Sequence, residues 1–354
     1  MIEKLKQAIK DSGFDAALIV SPENRFYFTG FESSDGYLIV NENDAVFITD
    51  GRYIEAAEKI IKDCKVVLQE KKASQIKDIL SSLKAKVIAV EADRMTLSEY
   101  ALFASALEGM ELVADGSLDA QINEIRSIKT SEEIEKIKIA QRISEEALET
   151  ILNYIEPGKT EKEIALELEY YMLSHGAQGL SFETIAVSGK KSSMPHGVPD
   201  GKIIEYGDFV TMDFGALYEG YHSDMTRTVA VGKATDEMKE VYYTVLNAQE
   251  NAIRSIKAGL SCKDADDAAR SVIETAGYGN YFSHSTGHGV GVEIHEYPNL
   301  SKISDKILKS GNIVTVEPGI YIPEKFGVRI EDMVLVTENG CENLTKAPKE
   351  LIIL

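Results

Sequence analysis

Two acidic stretches carry the residues best suited to chemistry. From Gly207 to Asp213 the chain reads GDFVTMD, and from Gly311 to Glu317 it reads GNIVTVE, so Asp213 and Glu317 hold equivalent places 104 residues apart. Each stretch is followed by a second acid beyond a turn, Asp224 in the first and Glu331 in the second. Asp213 follows VTM and Glu317 follows IVTV, runs apolar enough to be buried, where an unpaired carboxylate is costly. Four solvated strand residues would be the bland reading, but it leaves an acid kept twice in the same apolar setting without a reason. Facing carboxylates repel unless a cation lies between them, and two metal ions about 3.5–4 Å apart suit such a set. A turn centred on Tyr218 and Glu219 makes Asp213 and Asp224 cross-strand partners, whereas one centred on Glu219 and Gly220 makes them diagonal neighbours. Both registers keep the two acids on one face.

Between the acidic stretches lies HSTGHGVGVEIHE, His284 to Glu296. His284 and His288 have helical spacing, but Gly287, Gly289 and Gly291 disfavour a helix. An extended segment places His284, Thr286, His288 and Val290 on one face. His288, the most glycine-enclosed, is the expected imidazole ligand. His196, in MPHGVPD, lies on a loop stiffened by Pro195 and Pro199 and suited to holding a proton donor, although a lone loop histidine more often sits idle at the surface. His175 and His222 have weaker claims, and His175 is expected at the surface.

These residues need elements to hold them. Glu132 to Leu152 carries apolar residues at helical spacing, Pro157 and Gly158 stop it, and Thr160 with Glu163 forms a capping box opening a helix to about Ser174. EPGKTEKEIALELE, from Glu156, is echoed by KAGLSCKDADDAAR, from Lys257, with a capping residue or Cys at the helix start; Gly158 and Gly259 lie 101 residues apart. Two offsets so similar point to an internal duplication about a pseudo-two-fold axis, with a site at that axis drawing ligands from both halves. Ahead of it, short apolar runs at Ala16–Val20, Tyr37–Val40, Ala45–Thr49, Val66–Leu68 and Val87–Val90 alternate with helical segments, which reads as an α/β domain with a mixed sheet. Ser21–Asn24 reads as a turn, and Asn24, Tyr27 and Arg52 as surface or packing residues. The division expected is 1–122 and 123–354, the two domains that 354 residues suggest.

The net charge of −20 argues against nucleic acid or an anionic membrane surface as partner. No run approaches the roughly 18 apolar residues of a membrane span. Cys64, Cys262 and Cys341 are odd in number and widely spaced, which fits a reducing cytoplasm better than a disulfide framework.

VTMDFGA, YHSDMTRT, TGHGVG, TVEPGIY and GVRIEDM resemble, in order, the ligand contexts of the pita-bread metallopeptidases: Xaa-Pro aminopeptidase, prolidase and methionine aminopeptidase. The resemblance covers about Arg126 to Leu354. NRFYFTGF and TDGRY resemble more loosely the amino-terminal domain of the proline-specific members, which favours that branch.

It implies an α/β (α+β) architecture, a creatinase-like domain followed by a pita-bread domain, and Asp213, Asp224, His288, Glu317 and Glu331 as ligands of two divalent ions. Mn suits so oxygen-rich a set, with Co, Zn and Fe as alternatives. By the same resemblance, a hydroxide bridging the metals attacks the bond between an amino-terminal residue and proline, Glu317 takes its proton, and His295 stabilises the tetrahedral intermediate. His196 takes the substrate-side place, His284 lines the pocket for the residue after the cut, and Arg329 contacts the substrate region. An Xaa-Pro aminopeptidase acting on peptides with proline second, as a homodimer, is the leading expectation, and an Xaa-Pro dipeptidase the alternative. A non-catalytic peptide-binding protein and a metal-free creatinase-like hydrolase are disfavoured, since neither has a use for all five ligands.

Overall fold

Alternation of short apolar runs with helices gives residues 1–126 a six-stranded sheet, its strands ordered Lys65–Leu68, Ala45–Thr49, Tyr37–Val40, Ala16–Ile19, Val87–Val90 and Glu111–Val113. The pairs around Tyr37–Val40 are antiparallel and the others parallel, so the sheet is mixed as expected. The computed structural model describes residues 1–354 and divides into units Met1–Arg126 and Ser127–Leu354. The sequence places the domain boundary after residue 122, a position that lies inside a helix, Ser117–Ser127.

The first helix, Ile2–Ser12, buries Ile2, Leu5 and Ile9 and stops at Gly13, whose left-handed φ of 80° a residue with a side chain rarely adopts. Ser21–Asn24 is not a turn. It opens a helix, Pro22–Thr29, because the Ser21 hydroxyl accepts from the Asn24 N–H and proline at the first helical position has its φ already set. Asn24 and Tyr27 are buried packing residues; Asn24 Nδ2 donates to Glu91 at 2.6 Å and the Tyr27 hydroxyl to the Ile125 carbonyl at 3.2 Å. Arg52 is exposed and pairs with Asp50.

In the second unit the duplication is explicit. Its first half runs α1 (Ser131–Ile151), α2 (Glu161–Ser174), β1 (Ile185–Ser188), β2 (Phe209–Phe214) and β3 (Met225–Ala230). Its second runs α3 (Asp236–Ser255), α4 (Cys262–Thr275), β4 (Gly287–Gly289), β5 (Ile313–Val316), β6 (Gly319–Ile322), β7 (Phe326–Arg329) and β8 (Asp332–Thr337). Strands β1, β2 and β3 pair antiparallel in that order, as do β4, β5 and β8.

Helix starts match too. Thr160 caps α2 in a full capping box with Glu163, and Ser261 caps α4, accepting from the Asp264 N–H. Ser261, not Cys262, is therefore the counterpart of Thr160; Cys262 is the first helical residue and fully buried. Both caps sit on an isolated antiparallel bridge, Thr160 with Ile203 and Ser261 with Ile307. Each half packs its helices on its own sheet: Ile164, Leu168 and Met172 meet Val210 and Met212 in one core, and Val241, Val245 and Ala265 meet Val314 and Val316 in the other. No helix is long and apolar enough to cross a membrane.

Candidate metal centre

The register of the first hairpin settles how its acids meet. Asp213 pairs with Thr226 and Tyr218 with Tyr221, so the turn is centred on Glu219 and Gly220, with φ of 45° and 78°. Two left-handed residues give the twist that a two-residue hairpin needs. Asp224 is thus the diagonal neighbour of Asp213, the second of the two registers compatible with the sequence.

The second pair of acids departs from its expected setting. The apolar runs beside Glu317 and Glu331 predict strand positions for both, but β5 ends at Val316 and β8 begins at Asp332, the two being paired. The acids lie one step beyond that ladder, facing each other across a gap before β6 and β7 resume pairing at Gly319 and Arg329. Pro318, lacking an N–H, cannot continue the ladder there. Both side chains are released toward the space between the halves of this unit.

Strand β4 can approach only because of its glycines. A Cβ on Gly287 would lie 1.9 Å from the Thr315 carbonyl oxygen, and one on Gly289 would lie 2.3 Å from that of Tyr297. The strand is three residues long and shifts register against Glu296–Leu300, so the expected common face of His284, Thr286, His288 and Val290 does not form. His288 Nδ1 lies 3.0 Å from the Gly289 carbonyl, an arrangement that puts the proton on Nδ1. Its Nε2 then offers a lone pair toward Asp224 Oδ2 at 3.5 Å and Glu317 Oε1 at 3.4 Å.

Acceptors therefore converge with too few donors among them. One ligand atom each from Asp224, His288 and Glu331 lie within 4.8 Å of one another. Asp213 Oδ1 and Glu331 Oε1 are buried without a hydrogen-bond partner. Burial, then the neighbouring Glu331, Asp213 and Glu317, push the Asp224 carboxyl well above its ordinary range. Burial with Glu317 and Asp213 does the same to Glu331, and burial lifts Glu317 to about 8 against the pull of Arg329. His288 is pushed down to about 4 by burial and is neutral at pH 7. Carboxylate oxygens, a neutral imidazole and two orphaned buried oxygens fit a hard divalent cation.

Arg329 is the cation the chain supplies. Its Nη2 donates to Asp213 Oδ2 at 2.5 Å, its Nε to the Thr226 hydroxyl at 3.0 Å, and its Nη1 to the Tyr321 hydroxyl at 2.8 Å. Thr226 in turn donates to Glu331 Oε2 at 2.7 Å, and Thr315 to Glu317 Oε1 at 3.3 Å. Tyr321 also meets His284 Nε2 at 2.9 Å, while His284 Nδ1 faces the Ser285 carbonyl. Sequence reasoning missed Tyr321, Thr226 and Thr315. Tyr321 had a signal, alternating with Glu317 and Gly319; Thr226 becomes visible only once the hairpin register is known.

The five acidic and imidazole candidates line one cavity of about 1160 Å³ together with His196, His284, His295 and Arg329. His196 is exposed on its loop, and His295 stands beside His288 with ring centroids 4.3 Å apart. Burial lowers the His295 pKa, as it does that of His284, which falls to about 4. Leu180, Phe182, Ile185 and Ile294 give the cavity an apolar wall. His175 is away from it, stacked on Tyr171 at the surface as expected.

The family model described as metallopeptidase family M24 matches residues 135–338, and that of the creatinase/prolidase N-terminal domain matches residues 1–128. An uncharacterized peptidase of Bacillus subtilis is 46% identical, with 100% of this chain and 99% of that one covered. The Xaa-Pro dipeptidase of Pyrococcus furiosus is 41% identical with 99% of each covered. Among solved structures, an Xaa-Pro dipeptidase from Bacillus anthracis superposes with a TM-score of 0.96 at 44% identity, over 100% of this chain and 99% of that one. An X-Pro aminopeptidase from Thermotoga maritima does so with 0.90 at 40% identity, over 98% and 100%.

Proposed function

Because this chain belongs to metallopeptidase family M24, we propose that it hydrolyses the peptide bond between an amino-terminal residue and a following proline. One observation carries this reading: four carboxylates and the His288 lone pair converge in a cavity that three further histidines line. Asp213, Asp224, His288, Glu317 and Glu331 would hold two divalent ions, manganese by preference because four of the five donors are carboxylates. When bound, the ions would supply Lewis-acid polarisation of the scissile carbonyl and a nucleophile active at neutral pH.

The chain's own residues do the rest. Glu317, steadied by Thr315, takes the proton of the attacking water at its carboxylate. His295 donates to the oxygen on which charge develops. His196 reaches the substrate from the opposite loop as donor or anchor. His284, fixed by Tyr321, lines the subsite after the cut, and Arg329 holds the Asp213 carboxylate in orientation. An Xaa-Pro bond has no N–H, so a peptidase that must accept a hydrogen bond from that group fails on it. Apolar walls can take the ring instead.

Both expected substrate lengths have a relative in their favour, dipeptides through the named Xaa-Pro dipeptidases and longer peptides through the named X-Pro aminopeptidase. Our lead is the aminopeptidase. Manganese-loaded protein should be offered an Xaa-Pro dipeptide, an Xaa-Pro-Xaa tripeptide and an Xaa-Ala control. Faster tripeptide cleavage with the control intact supports the lead, preference for the dipeptide supports the alternative, and equal cleavage of the control rejects both. We further assign catalysis to residues 123–354, since every cavity residue named above falls there, with 1–122 as an auxiliary domain. The free cysteines support a reducing cytoplasm, and a homodimer is the expected assembly, to be checked by light scattering.

A further inference from the structure

An ion pair that no catalytic step above uses sits beneath the loop carrying His196. Glu161, the first residue of α2, has a side chain with no exposure; it accepts from the Ser188 N–H at 2.6 Å and from the Lys191 ammonium at 2.8 Å. The same ammonium reaches Asp200 Oδ2 at 2.7 Å. Lys191 and Asp200 are the two ends of the stretch KSSMPHGVPD, with His196 in its middle. Lys191 therefore closes that loop at its base and fastens it to α2. Farther along, the loop is held by the Lys162 N–H to the Asp200 carbonyl at 3.0 Å, the Gly197 N–H to the Met194 carbonyl at 3.0 Å, and Arg329 to the Pro195 carbonyl at 3.3 Å.

The second half of the repeat does the same for its own histidine. Asp266 on α4 is fully buried, accepts from the Thr286 N–H and hydroxyl at 3.0 and 2.9 Å, and binds Arg270 Nε at 2.7 Å. Arg270 Nη2 donates to the His284 carbonyl at 2.7 Å. In each half, a buried acid near the start of the second helix, through a cation, ties down the segment that brings a histidine to the cavity.

Buried ion pairs add little net stability over apolar residues of the same shape, because desolvation offsets the attraction. What such a pair imposes is geometry. The His196 loop has no strand ladder to fix it, and its histidine is exposed, so its placement rests on these few ties and on the Gly327 N–H, which donates to the Ser192 hydroxyl at 2.8 Å. We propose that Lys191 is a positioning residue for His196, acting by clasping Asp200 to Glu161. The inference rests on the reading of His196 as a substrate-side residue.

The test is a double-mutant cycle on the metal-loaded enzyme with an Xaa-Pro-Xaa tripeptide. Lys191→Met, Lys191→Arg and Asp200→Asn are each made in the parent and in His196→Ala, and kcat, KM, bound metal and melting temperature are read. In the parent, Lys191→Met and Asp200→Asn should lower kcat/KM by about 10- to 100-fold, the scale of a misplaced contact, with bound metal unchanged. Lys191→Arg should recover most of the activity. In His196→Ala neither change should cost more than about twofold. Lys191→Met leaves Glu161 buried without its partner and is exposed to misfolding; Asp200→Asn leaves that pair intact and keeps the test decisive. Equal losses in both backgrounds, or none in the parent, overturn the inference alone. A His196→Ala enzyme with parental activity overturns the placement of His196 and this inference with it.

Discussion

Glu317 combines a buried setting, contact with His288 and a hydroxyl donor from Thr315, and its role as proton acceptor is open to a direct check. Glu317→Gln should lower kcat by about 10²- to 10⁴-fold while the circular dichroism spectrum stays that of the parent; normal turnover would remove Glu317 from the mechanism. A second expectation concerns the protein stripped of metal. Burial raises the Glu317 carboxyl from 4.5 to about 8, so the folded chain holds a proton that the unfolded chain has already lost at neutral pH. That contribution is complete below the unfolded value and disappears as pH climbs through the folded one. Asp224 and Glu331, also raised, act in the same direction. The stripped protein should therefore melt at progressively lower temperature from about pH 6 to about pH 8, and saturating manganese should flatten the trend, because the metal holds the ionised carboxylates. A flat profile without metal would show that these carboxyls are not protonated in the fold.

At the scale of elements, the approach of β4 to β5 decides whether His288 reaches the acids. Gly287→Ala would set a methyl group 1.9 Å from a backbone oxygen of β5, so the strands must part. We expect a loss of about 1–3 kcal/mol in urea unfolding, together with weaker metal binding. Gly340→Ala, whose added Cβ meets nothing within 4 Å, is the matched control and should be neutral. Elements with strong local signals were legible in the sequence. Thr160 and Glu163 announced α2, and the Gly-Asp-Phe-Val-Thr-Met-Asp repeat announced the paired strands. What escaped was set by contacts distant in sequence. Nothing local distinguishes Glu317 inside a strand from Glu317 just past its end, since the ladder stops where the partner strand and Pro318 make it stop. His284 left the face it shares with His288 in an ideal strand because Arg270 and Asp266 hold its segment elsewhere. The Ser21 helix does have a local signal, a serine cap followed by proline, but both residues also favour turns, so the signal is ambiguous in sequence.

On the scale of the whole chain, the two units should answer differently to metal. All the candidate ligands belong to residues 127–354, so ligand binding can stabilise only the transition of that unit. Calorimetry of the stripped protein, repeated with increasing manganese, should show one transition moving upward and another staying in place. A single transition that moves as a whole would mean that the units unfold together. A net charge of −20 repels polyanions, so added polyanion should leave activity unchanged.

The turn at Glu219 and Gly220 brings Asp213 and Asp224 together within one short stretch, but their counterparts arrive from the far end of the chain. With 104 residues between Asp213 and Glu317, a ribosome working at roughly 5–20 residues per second needs several seconds to tens of seconds to deliver the second set. For most of that interval the emerging polypeptide holds the first pair of acids without the His288 imidazole. Cation capture by the full set of donors is then a late event in biogenesis, open only to chains whose last strands have emerged and docked. A chain truncated ahead of Glu331 should leave the ribosome without its metal, however well its first half has folded.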